Sequence, residues 1–172
     1  FQYPEYQLFE ETVYKDIAFG PRNMKLSDAQ IDECVREAAD FSGLRPELLE
    51  KSPFELSGGQ KRRAAIAGVI AMRPRVLILD EPMAGLDPGG CREIMANIRR
   101  YHDEKNATVI MVTHDMSQAA RIADRLVVMH KGTVAMTGTP AQVFSHAEAL
   151  TEMGLDLPDV TKIALRLREL GL

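Results

Sequence analysis

The sequence predicts an α/β fold built on parallel strands, and three observations predict it. Two short apolar runs, Val76-Leu77-Ile78-Leu79 and residues 108–113, have the length of buried strands and end in polar residues. Apolar residues recur at helical spacing over 88–101 and again over 116–123. The resulting order, strand, helix, strand, helix, implies a parallel pair joined by a right-handed crossover.

The elements follow in chain order. Ser27-Asp28-Ala29-Gln30 reads as a capping box, and Ile31, Cys34, Val35, Ala38 and Ala39 then form one stripe, so residues 27–43 are expected to be an amphipathic helix. Gly43, Pro46 and Pro53 punctuate the next stretch and leave room for a short helix over 46–51. Ser57-Gly58-Gly59-Gln60 is a second capping box leading into a helix that runs to about Met72. From Ala64 onward that helix is apolar on every side, which predicts an interior position, and Arg73-Pro74-Arg75 ends it.

Asp87 is expected to cap the helix that starts at Pro88, whose stripe is Cys91, Ile94, Met95, Ile98 and Tyr101. Residues 125–130 and 133–137 flank Lys131-Gly132 and read as a hairpin. Thr139-Pro140-Ala141-Gln142 opens another capped helix. Past Gly154 and Pro158, a last helix carries Val160, Ile163, Ala164, Leu167 and Leu170 on one stripe and stops at Gly171. That stripe predicts a docking face, on the same domain or on a partner.

Composition narrows the classes. The 172 residues, 45% hydrophobic and 27% charged, are those of a globular chain rather than a disordered or fibrous one. The longest apolar run, Ala64 to Met72, is far short of the roughly 20 residues that span a bilayer, so a membrane role is expected to be peripheral. The net charge of −4 and the isolated basic pairs Arg62-Arg63 and Arg99-Arg100 argue against nucleic acid. Cys34 and Cys91 form no C-x-x-C pattern, suit a reducing compartment, and read as core filler rather than metal ligands.

Two segments carry chemistry. Leu56-Ser57-Gly58-Gly59-Gln60 is a glycine-rich turn at a helix start, where backbone N–H groups are offered to an anion without side-chain bulk. Asp80-Glu81 places two carboxylates at the carboxyl end of a parallel strand, where α/β sheets bind ligands. Together they suit a nucleoside triphosphate with Mg²⁺: Asp80 to hold the metal, through water, and Glu81 to orient or deprotonate the attacking water. A solvated strand end is the plain alternative for the pair, as an ordinary N-cap is for Ser57. His114 follows the second strand, where a γ-phosphate contact is favoured over a capping role.

With Gln2 near the start, Ala84-Gly85-Leu86-Asp87 after the carboxylates and Thr113-His114-Asp115 after the next strand, the chain resembles the ATPase subunits of ABC transporters. Phe1 to Phe9, Ala18-Phe19-Gly20-Pro21-Arg22-Asn23 and Ser52-Pro53-Phe54-Glu55 make it similar to those of energy-coupling-factor importers of vitamins, cobalt or nickel. The resemblance implies a P-loop NTPase-like parallel sheet core with a helical subdomain and a C-terminal helical extension. It divides the chain into a Q-loop segment (1–9), a helical subdomain with the signature helix (10–72), a catalytic core (73–138) and the extension (139–172). No stretch fits the phosphate-loop pattern G-x-x-x-x-G-K-[ST], so the chain is expected to be the C-terminal part of a longer subunit and not ATPase-competent alone.

By the same resemblance the cofactors are ATP and Mg²⁺. Leu56, Ser57, Gly58, Gly59 and Gln60 form the signature that contacts ATP held by the opposite subunit. Gln2 touches the Mg²⁺ and the attacking water, and Asp87 either couples the two subunits or serves as a cap alone. Met83 departs from the Ser or Thr frequent at its position, which removes a hydroxyl beside the carboxylates. The implied partners are a second ATPase subunit, identical or paralogous, a transmembrane energy-coupling subunit contacted near residues 3–25, and a substrate-binding membrane protein. The implied location is the cytoplasmic face of the membrane. Two other classes stay open: a non-transport ABC ATPase of DNA repair or translation, and a silent module that donates its signature to a competent partner.

Overall fold

A computed structural model describes residues 7–170 of the protein. The chain folds as two compact units, Phe1–Val112 and Thr113–Leu172.

The first unit is a helical layer set against a two-stranded parallel sheet. Helix α1 (Val13–Asn23) is capped by Thr12, whose side chain accepts from the Lys15 N–H, and it buries Val13, Ile17, Ala18 and Pro21. The Asp16 carboxylate accepts the N–H groups of Phe9 and Glu10 at 3.1 and 3.3 Å, tying the preceding segment to this helix. Helix α2 (Asp28–Ser42) has the expected Ser27–Gln30 capping box and ends at Gly43, which takes the left-handed conformation at φ 67. The expected helix after it is a single 3₁₀ turn, Pro46–Leu48. Helix α3 (Gly58–Ile70) starts at the Ser57–Gln60 box and buries Arg62, Ala64, Ile66, Ala67 and Ile70.

Strand β1 (Val76–Asp80) pairs in parallel with β2 (Thr108–Val112), in register from Val76 opposite Thr108 to Asp80 opposite Val112. Helix α4 (Pro88–Lys105) connects them and buries Ile94, Ile98 and Tyr101. The core joins α1 to α4 with one face of this sheet, through Leu77 and Leu79. Tyr101 lies edge-on to Phe41 at 5.3 Å, its hydroxyl donates to the Pro74 carbonyl at 3.0 Å, and Arg100 stands over the Phe41 ring. Arg73 bridges to Glu33 and Glu37 at 2.7 and 3.0 Å, and Lys105 also pairs with Glu37, so α2 is ionically fastened to the sheet margin.

The expectation of two fully buried strands is corrected. One face of the sheet is covered; on the other, Ile78 is 65% exposed and Val112 54%, with Val76 and Ile110 close to half exposed. An unbroken apolar run does not say how many faces are covered, and all the described helices of this unit that pack on the sheet lie on one side. The interior position expected for α3 is likewise partial, since Val69 and Met72 reach solvent at its end.

In the second unit α5 (Met116–Ile122) is capped by Asp115, and β3 (Leu126–His130) and β4 (Thr133–Gly138) form the expected antiparallel hairpin. Lys131 and Gly132 both have positive φ, 48 and 79, as a two-residue turn matching strand twist requires. Helices α6 (Pro140–Phe144), with the Thr139–Gln142 box, and α7 (Ala147–Glu152) bury Val143, Phe144 and Leu150. The last helix, α8 (Asp159–Glu169), leaves Val160, Ile163 and Leu167 exposed. Its expected stop at Gly171 lies outside the described residues, as does Gln2.

Candidate functional site

Asp80 is the last residue of β1 and is exposed, so its carboxylate stands at the carboxyl end of the sheet. Glu81 follows with its N–H donating to the Val112 carbonyl at 2.9 Å, one step beyond the ladder, while its backbone turns into the left-handed region at φ 45. A non-glycine residue held there carries strain of about 1 to 3 kcal/mol, a kind of outlier that concentrates at functional sites. The following loop is two tight turns: Ala84 N–H donates to the Glu81 carbonyl at 3.1 Å and Leu86 N–H to that of Met83 at 3.2 Å. Pro82 and Met83 are buried, so the loop is anchored from beneath while Asp80 faces solvent.

Asp87 ends this loop as the cap of α4, its carboxylate accepting the N–H groups of Gly89 and Gly90 at 2.8 and 3.0 Å. Those two donors hold its carboxyl below the ordinary aspartate range.

The signature turn is built differently. Leu56 is buried and fixes the approach to α3. Gln60 Oε1 accepts the Ser57 N–H at 2.9 Å and the Ser57 hydroxyl accepts the Gln60 N–H at 3.4 Å, closing the box. Gly58 and Gly59 occupy the first two helical positions, and a Cβ placed at Gly58 meets nothing within 4 Å. No internal crowding demands glycine at 58, and a helix start free of side-chain bulk suits an anion arriving from outside.

Asp80, Glu81, Asp87 and residues 56–60 therefore all belong to the first unit, whereas His114 lies in the second, exposed, just before the Asp115 cap. Among the described residues no three His, Cys, Asp or Glu side chains gather into a cluster able to hold a metal. Asp80 and Glu81 do fit Mg²⁺ arriving with a triphosphate, because that ion keeps several waters and takes only one or two carboxylates beside phosphate oxygens. Cys34 is buried core, as expected, and Cys91 is half-buried with its thiol near the Met83 and Leu86 carbonyls at 3.8 Å. Among the described residues no helix is long and apolar enough to cross a membrane.

Sequence reasoning missed two parts of this arrangement. Helix α1 went unseen because Gly20 and Pro21 lie inside it, although Thr12 and the Val13, Ile17, Ala18, Pro21 stripe were there to be read. The other is Arg62, which is only 3% exposed and reaches the loop after Glu81.

The sequence profile of the ABC transporter family matches residues 2–84. The chain is similar to ABC transporter ATPases, and in particular to energy-coupling factor transporter ATP-binding proteins. It is 56% identical over 171 residues to EcfA2 of Caldanaerobacter subterraneus subsp. tengcongensis, covering 99% of this chain and 60% of the relative. It is 59% identical over 158 residues to EcfA2 of Bacillus thuringiensis, covering 92% and 54%. The fold matches cbiO1 of Clostridium perfringens, part of the ABC transporter complex cbiONQ, with a TM-score of 0.78 and 42% identity, covering 95% of this chain and 64% of that one. A bacterial ABC transporter cassette solved as a dimer matches with a TM-score of 0.68 and 26% identity, covering 78% and 60%. The chain thus spans a little over half the length of the curated relatives it matches.

Proposed function

We propose that this chain is part of the ATP-hydrolysing subunit of an energy-coupling-factor importer for a metal ion or vitamin, working peripherally at the cytoplasmic face of the membrane. The observation that carries the reading is Glu81, held at φ 45 directly after the exposed Asp80 at the carboxyl end of β1. Mg²⁺ supplies charge neutralisation across the triphosphate when bound. Asp80 would hold that ion. Glu81 accepts a proton from the attacking water or orients it, and the strained backbone fixes where its carboxylate points. His114 contacts the γ-phosphate, and Gln2 links the site to the membrane subunit.

The start of α3 serves a second nucleotide. Gly58 and Gly59 N–H groups, with Ser57 and Gln60 holding the turn rigid, face the ATP of a second ATPase subunit, and Asp87 lies beside that junction. ATP-driven closure of the pair then moves a transmembrane energy-coupling subunit and its substrate-binding membrane protein. Shifting a two-state element from 1:99 to 99:1 takes about 5.5 kcal/mol of differential binding, within reach of two sandwiched ATP molecules. Residues 1–172 contain no phosphate-loop pattern, so turnover belongs to the full-length subunit.

The test is Glu81→Gln in the full-length subunit assembled with its partners. Loss of a general base lowers turnover by about 10² to 10⁴-fold, with nucleotide affinity retained. Turnover at the wild-type rate in that variant would refute the assignment.

A further inference from the structure

In the loop that starts at Glu81, the carbonyls of Glu81, Pro82, Met83 and Ala84 each accept a hydrogen bond. Two are taken locally: Glu81 accepts from Ala84 N–H and Met83 from Leu86 N–H. The alternate two, Pro82 and Ala84, accept from one group, the Nη1 of Arg62, at 3.4 Å for Pro82 and in close contact for Ala84. Arg62 sits in the second turn of α3, on the helix whose start is the signature turn, and its side chain is enclosed. The same two segments also lie close at their ends, where a Cβ added at Gly59 would stand 3.6 Å from the Leu86 side chain. A guanidinium is always charged and rigid, so two carbonyls fixed on it cannot shift independently of the helix that carries it.

We propose that Arg62 is a positioning residue that locks the signature helix to the loop bearing Glu81, so that nucleotide engagement at Ser57–Gln60 sets the backbone geometry of this subunit's own catalytic carboxylates. The inference rests on the functional reading above. Arg62 acts through the Pro82 and Ala84 carbonyls, which follow the strained residue and hold the turn that begins at it. An uncharged residue at 62 frees both carbonyls, and a lysine ends one bond short of the Nη1 position.

The experiment uses the full-length subunit in its assembled complex, with Arg62→Ala, Arg62→Lys and the exposed control Arg36→Ala. Both Arg62 variants are expected to lower kcat about 10-fold or more, with KM for ATP within about twofold, the pattern of an interaction lost only on the way to the transition state. Amide hydrogen exchange over residues 82–87 should rise in the same variants without nucleotide, while α2 exchanges as before; Arg36→Ala should alter neither. Wild-type kcat in Arg62→Lys with unchanged exchange would overturn the proposal. A raised KM at constant kcat would also overturn it, by placing Arg62 in nucleotide binding instead. If Arg62→Ala fails to fold, Arg62→Lys and its exchange pattern carry the test. Equal turnover in wild type and Glu81→Gln would sink the functional reading alone, because the exchange arm reports the lock without turnover.

Discussion

Two helix starts in this unit have nearly the same composition and opposite consequences. At α3 the sequence is Ser57-Gly58-Gly59-Gln60; at α4 it is Asp87-Pro88-Gly89-Gly90. Each has a capping side chain and a glycine pair. At α4 the cap uses the pair up: Asp87 takes both glycine N–H groups, Pro88 has none to offer, and the next donor, Cys91 N–H, goes to the Asp87 carbonyl at 3.0 Å. At α3 the box reaches over the pair, joining Ser57 to Gln60 without taking up the N–H groups of the two glycines between them. A glycine pair after a cap therefore does not mark an anion site by itself. What decides is whether the cap side chain reaches the second and third helical residues or closes with the third alone.

The contrast breaks first at the glycines. A Cβ at Gly58 meets nothing, so Gly58→Ala is expected to leave the fold unharmed or to stabilise it by up to about 1 kcal/mol. In the assembled full-length subunit the added methyl should hold an approaching phosphate off the turn and cut turnover by about 10- to 100-fold, the worth of one charge-assisted hydrogen bond at about 1.5 to 3 kcal/mol. Gly89→Ala should do the reverse: its Cβ would stand 2.9 Å from the Asp87 carboxylate, disturbing the cap and lowering the melting temperature. Parallel melting curves and ATPase rates decide it, and activity loss that tracked melting temperature in both variants would erase the distinction.

A smaller effect separates cap from ligand at α3 itself. Ser57→Ala removes the hydroxyl that accepts the Gln60 N–H, and loss of such a cap is expected to destabilise the protein by about 1 kcal/mol. Ser57→Asp restores a cap but places a negative charge where an anion is to sit. Denaturant melts should rank Ser57→Asp near wild type, while nucleotide-dependent turnover ranks it below Ser57→Ala. Equal turnover in the two variants would mean that nothing anionic approaches this turn.

How much of this was legible in the sequence follows from how local each signal is. The boxes at Ser27, Ser57 and Thr139 and the cap at Asp87 involve residues within three of one another, and all four appear where their spacing places them. The strand of Asp80 was equally plain, because an apolar run of that length beside Gly and Pro punctuation admits little else. The uncovered sheet face was not legible: Ile78 and Ile110 are as apolar as Leu77, and only the positions of other elements tell them apart. Nor was Arg62, whose partners Pro82 and Ala84 are brought to it by tertiary packing and are backbone atoms that every residue has. In sequence it reads as one of a basic pair, and its neighbour Arg63 does behave as such a residue, pairing with Glu93 at 2.8 Å.

The smallest effect tests the α4 cap through its charge. The Gly90 and Gly89 N–H groups hold the Asp87 carboxyl below its ordinary range, so the folded state binds this proton less readily than the unfolded chain, whose aspartate titrates at about 3.9. The sign follows from linkage: this contribution to stability is fully present above that pH and is lost as the pH falls through the lower folded value. Asp87→Asn keeps a good cap but has no proton to bind. Melting temperatures of the two proteins should therefore run parallel from about pH 8 to about pH 5 and converge or cross below about pH 4, the wild type falling faster. Asp32, Glu37 and Asp156 are also held low by their ion pairs, but they are common to both proteins and cancel in the difference. A difference constant down to about pH 2 would mean that the charge of Asp87 adds nothing to a neutral cap. The α4 start would then differ from the α3 start only in which amides its cap reaches, and not in how strongly it holds them.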